Sequence, residues 1–74
     1  MVGGTFLQST TKEGWTAERL ATARATMAET AGDVRETAAW LGVSPATLDL
    51  ALHDLLGRTP EQALTRMLAR EAGR

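Results

Sequence analysis

The chain contains no cysteine and no tyrosine. The first absence excludes a disulfide framework and a thiolate metal site as supports for so small a protein. Aromatic residues make up 4% of the sequence, and β-branched aliphatics are few, so little is available to build a sheet. What remains is rich in Ala, Leu, Thr, Arg and Glu, a composition that predicts an all-α fold. No apolar run approaches the roughly 20 residues of a membrane span, and no signal-peptide hydrophobic segment follows the first residues. The expectation is a cytoplasmic protein with no membrane association. A single histidine and the lack of a Gly-rich loop or a spaced carboxylate pair argue against an enzyme. His53 and Asp54 are neighbours on a predicted helix and point about 100° apart, so they form no catalytic dyad. No metal site and no cofactor site are expected.

Seventy-four residues make one small domain, which buries only about 60% of its unfolded surface. Oligomerisation is a natural source of additional burial for such a chain. The net charge of −1 is not the footprint of a strong nucleic-acid binder, but its distribution is uneven. Residues 33–56 carry −3, whereas residues 58–74 carry +2.

The stretch that organises the rest is Asp33–Leu56, DVRETAAWLGVSPATLDLALHDLL, which reads as two short helices joined by a tight turn. Ala38 is small enough to admit a second helix. Gly42 suits the left-handed residue that ends the first helix. Leu48 falls on the inner face of the second, closing a core with Val34 and Leu41. Asp33 with Glu36 makes a capping-box pattern, and Ser44-Pro45 offers an N-cap with proline at the first helical position. Gly57 is the expected stop.

Four helices are predicted in all. Residues 1–14, with a Gly pair and a Ser-Thr-Thr run, read as a flexible N-terminal arm whose sticky spot is Phe6-Leu7. Residues 15–74 form the single helical domain. Thr16 caps a first helix from about Ala17 to Thr30, with Leu20, Ala23, Met27 and Ala31 as its seam. Trp15 is expected to staple that helix to the body. Trp40, beside the core position Leu41, is expected to pack half-buried against the first or fourth helix. The third helix runs from Pro45 to Leu56, with Leu48, Ala51, Leu52 and Leu55 inside and Leu56 broadening the stripe. Thr59, Pro60 and Gln62 start a fourth helix, whose apolar face is Leu64, Met67 and Leu68 and whose Arg66 and Arg70 lie one turn apart.

Residues Ala31–Leu56 resemble the C-terminal DNA-binding helix-turn-helix of the Fis family through Gly32, Val34, Ala38, Ala39, Leu41, Gly42, Val43, Ser44, Thr47, Leu48 and Leu52. The stretch to Leu64 also resembles the second helix-turn-helix of AraC-type regulators, whose Gly-x-Thr-Pro signature is matched by Gly57, Thr59 and Pro60. AraC-type proteins carry a preceding helix-turn-helix that this chain is too short to hold. Together the two patterns cover about half of the chain.

The resemblance implies a transcriptional regulator or accessory factor that binds double-stranded DNA, read as a homodimer on two half-sites. It assigns the DNA-facing positions to Ser44, Pro45, Ala46, Thr47, Asp49, Leu50 and His53. Backbone cations would come from the flanks, at Arg35, Arg58, Arg66 and Arg70, with Arg74 beyond them. The outward positions depart from both families, which place basic or aromatic residues there. None of them is Lys or Arg, and Asp49 and Asp54 are expected to repel phosphates. The alternative is a protein-protein interaction module that keeps the scaffold and offers the acidic, apolar third helix, with Leu50 outward, to a partner.

Overall fold

The computed structural model describes residues 10–73; Phe6, Leu7 and Arg74 lie outside them. The fold is all-α. Its helices are α1 (Ala17–Glu29), α2 (Val34–Leu41), α3 (Pro45–Leu55) and α4 (Pro60–Ala72), and no strand occurs among the described residues.

Each helix begins where a side-chain oxygen can satisfy a free backbone N–H. Thr16, Asp33, Ser44 and Thr59 accept from the N–H of Arg19, Glu36, Thr47 and Gln62 respectively. At α4 the arrangement is reciprocal, because Gln62 Oε1 accepts from the Thr59 N–H at 3.0 Å. Pro45 and Pro60 each occupy a first-turn position, where proline's missing N–H removes no bond.

Two helix ends use the same left-handed geometry with different residues. At α2 the left-handed residue is Gly42, with Val43 N–H donating to Ala38 O. At α1 it is Ala31, φ 57°, with Gly32 N–H donating to Met27 O at 2.8 Å. This Schellman closure puts Ala31 beyond the helix and in solvent, so the seam of α1 stops at Met27 and does not include Ala31.

The core is Trp15, Leu20, Ala23, Ala38, Leu48, Ala51, Leu55, Ala63, Leu64 and Met67. α1 and α3 are central: each contacts all three other helices, whereas α2 and α4 do not meet. Ala at the contact positions lets the helices approach closely. Trp15 is buried, as its position before α1 predicts, and the Arg19 guanidinium lies 5.3 Å from its ring centroid. Thr37 is also fully buried, its hydroxyl 3.0 Å from that of Thr30.

Two apolar residues sit differently from expectation. Trp40 is 74% exposed, not half-buried, and its helix does not meet α4. The inward face of α2 is Thr37 and Ala38, buried, with Val34 and Leu41 half-buried, and Trp40 falls outside the edge of that face in the helical period. Leu56 is 75% exposed and does not broaden the stripe of α3. It lies beyond the helix at the second position of a turn, with φ −61° and ψ 115°. Gly57 follows at φ 72°, and Arg58 N–H donates to Leu55 O at 3.0 Å. These are the dihedrals of a type II turn, which calls for glycine at its third position.

Within the stretch read as an arm, residues 10–14 are described. There Thr11 is buried, accepting through Oγ1 from the Trp15 N–H at 3.0 Å. Lys12 N–H donates to the Glu71 carboxylate at 3.0 Å, joining chain positions 59 residues apart.

Candidate nucleic-acid interface

The helix-turn-helix reading rests on α2, the turn at Gly42 and α3. Gly42 reverses the chain, Val43 tucks partly into the core, and Ser44 opens α3. Because Leu48, Ala51 and Leu55 are buried, the 3.6-residue period directs the opposite face outward. Ser44, Pro45, Ala46, Asp49, Leu50 and His53 are all exposed, and Thr47 is half-buried. The two hydroxyls at the start of α3 serve the helix itself. Ser44 Oγ accepts from the Thr47 N–H at 3.1 Å and lies 2.9 Å from Thr47 Oγ1. Leu50, 67% exposed, is the large apolar side chain on this face.

Asp54 is not on it. It is 5% exposed, and its Oδ1 accepts from Arg70 Nη2 at 2.6 Å with Arg66 Nε 3.7 Å away. The expectation that Asp54 stands beside Asp49 as a second repelling charge is therefore corrected. The reason is visible in the spacing: Asp54 lies three residues beyond Ala51, inside the buried stripe of α3. A carboxylate there requires a partner, and the Arg66/Arg70 pair of α4 supplies it. In return, the hydrogen bond that Arg70 donates to Asp54, and then the charge of Asp54, raise the Arg70 guanidinium above its ordinary value.

The arginines named as backbone cations fall into three kinds. Arg66 and Arg70 are committed to Asp54, with about half of each side chain in solvent. Arg58 Nη1 donates to the main-chain oxygens of Asp54 and Leu56 at 3.2 and 3.4 Å. That ties down the side chain but leaves its charge uncompensated. Arg35 is exposed, with no ion pair or hydrogen bond among the described residues.

Sequence reasoning did not single out Arg24, which acts from α1. Its Nη2 donates to Leu55 O at 3.2 Å and to Arg58 O, bracing the type II turn. Arg19 acts similarly at the other turn, where Nη2 donates to Leu41 O at 2.5 Å. No periodicity marks either role, because main-chain carbonyls at helix ends are acceptors in every sequence.

Two clefts flank α3. One, of about 360 Å³, lies between α3 and α4 and includes Glu13, Thr47, Leu50, Asp54, Arg70 and Glu71. The other, of about 630 Å³, lies between α1 and the α3–α4 turn. Among the described residues, no group of His, Asp and Glu is arranged to hold a metal, and no helix is long and apolar enough to cross a membrane. No protein-family profile, curated protein or solved structure matches the chain.

Proposed function

We propose that this protein binds double-stranded DNA through α3, as a transcriptional regulator or accessory factor, and that it does so as a homodimer. The observation that supports this reading is the outer face of α3, which is open to solvent from Ser44 to His53 and has lost Asp54 to the interior. Asp49 is then the one acid that α3 itself presents on that face, with Glu13 and Glu71 beside it in the cleft that Thr47 and Leu50 line. The resemblance of Ala31–Leu56 to the Fis-type unit points the same way. Ser44 to Thr47 would approach the groove first, since the helix N-terminus favours anions. Asp49 can accept from a cytosine amino group, and Leu50 can touch a thymine methyl. Arg35 and Arg58 supply the cations least committed within the protein, and Arg66 and Arg70 contribute only what Asp54 leaves. In a dimer the two α3 helices would enter successive major grooves about 34 Å apart.

Fluorescence anisotropy with random-sequence duplex, at low and at physiological salt, tests the reading. The expected result is a Kd in the range of about 1–100 µM that weakens steeply as salt rises. Absence of binding at both salts overturns it. Replacing Asp49 with Arg and Leu50 with Lys together should tighten non-specific binding at low salt. An unchanged affinity would remove α3 from the groove.

A second reading, a protein-interaction module built on the same scaffold, is favoured by the exposure of Leu50 and Trp40. An apolar interface of that kind would resist added salt, which separates the two.

A further inference from the structure

Of the 630 Å³ cleft between α1 and the α3–α4 turn, the DNA-binding reading uses Arg58 alone. Its floor is Met27, Leu52 and Leu55, and Leu56, held out by the type II turn, stands at its rim. Its charged lining residues are Arg24 and Arg58, and no acid among the described residues lines it. In a chain whose net charge is −1, two guanidiniums beside an apolar floor without a carboxylate form a local excess of positive charge.

The two arginines are held in place without being neutralised. Arg24 bonds to main-chain oxygens through Nη2 alone, and Arg58 through Nη1 alone. Each guanidinium has five N–H donors, so Nε and the second terminal nitrogen of both remain without a protein acceptor among the described residues. Arg24 Nη2 donates to the carbonyl of Arg58 itself, which fixes the two residues relative to each other. A planar donor group already immobilised loses little entropy when it receives an anion. Met27 and the leucines add an adaptable apolar surface next to it. The cleft is a shallow groove open to solvent along most of its extent, so a ligand would lie along it with its apolar side down and its other side in water.

We infer that this cleft binds a small amphiphilic anion, with its carboxylate or phosphate on Arg24 and Arg58 and its apolar body over Met27, Leu52, Leu55 and Leu56. The inference shares Arg58 with the DNA-binding reading but does not rest on it, and its test contains no DNA. The full chain, ¹⁵N-labelled, is titrated with decanoate and with 2-naphthoate, and amide shifts are followed by NMR. Acetate serves as the headgroup control, and the corresponding primary amides serve as neutral controls.

Saturable shifts confined to residues 24–27 and 52–62 are expected with both carboxylates. Binding should be roughly tenfold tighter than for the amides, a factor within reach of one charge-assisted hydrogen bond, and acetate should not saturate. Arg58→Gln should remove the preference for carboxylate over amide. Leu56→Glu, at a solvent-exposed position outside the core, should weaken carboxylate binding roughly tenfold by placing a like charge at the rim. Thermal melts establish that both variants remain folded. Equal affinity for acid and amide, acetate binding as well as decanoate, shifts located elsewhere, or no saturation by either carboxylate would each overturn the proposal.

Discussion

The two clefts beside α3 use arginine in opposite ways. At the α3–α4 cleft, Arg70 from the lining and Arg66 from outside it converge on the buried carboxylate of Asp54, and the surrounding Glu13 and Glu71 make the lining acidic. In the α1 cleft, Arg24 and Arg58 bond to main-chain oxygens, which hold a guanidinium without cancelling its charge. Four arginines that look equivalent along the chain therefore divide into two that share one buried acid, which cancels one of their two charges, and two that keep their full positive field. The number of cations in a sequence overstates the number that can meet an external anion.

The sharpest way to break this contrast is to remove Asp54. Asp54→Ala leaves Arg66 and Arg70 without their anion and should destabilise the domain by about 2 kcal/mol, read as a drop in Tm of roughly 8–16 °C. The same variant frees two cations, so its DNA affinity at low salt should rise. A fall in both stability and DNA affinity would show that the pair positions the DNA-facing surface. In the other cleft, Gly57→Ala imposes a side chain on a residue at φ 72°. The expected cost is about 1–2 kcal/mol, measured by urea denaturation. Arg24→Met keeps the aliphatic stem and removes the brace on the turn, for a loss of about 1 kcal/mol. It should also loosen the amides of residues 55–58 in hydrogen exchange. Ala31→Gly touches neither cleft. Because it relieves a left-handed alanine at the end of α1, a gain of about 0.5 kcal/mol is expected from chemical denaturation, with ligand and DNA binding unchanged.

Much of the fold was legible because its boundaries are written locally. Thr16, Asp33, Ser44 and Thr59 cap the helices they precede, and Gly42 turns the chain, all from side chains or backbone within a few residues. The limits of α2 could be read to the residue for that reason. Trp40 and Leu56 misled because size and hydrophobicity suggest burial, while helical phase and turn geometry decide it. Asp54 was legible in principle, since its spacing from Leu48 and Ala51 places it inside. A charge at such a position points to partners elsewhere, here Arg66 and Arg70. Of the candidate site, the outward face of α3 follows from periodicity alone. The commitments of Arg24, Arg58, Arg66 and Arg70 do not, because they are made between helices that only the tertiary fold brings together.

The bond between the Lys12 N–H and the Glu71 carboxylate has a separate consequence. It brings positions near the two limits of the described chain to one spot on the surface, at the edge of the cleft that Glu13 and Glu71 share with Thr47 and Leu50 of α3. Anything fused before residue 12 or after residue 71 would leave the domain from that common corner. A circular permutant could be closed there with a short linker and reopened in an exposed loop. Such a rearrangement would change the order in which the helices are made while preserving every helix-helix contact.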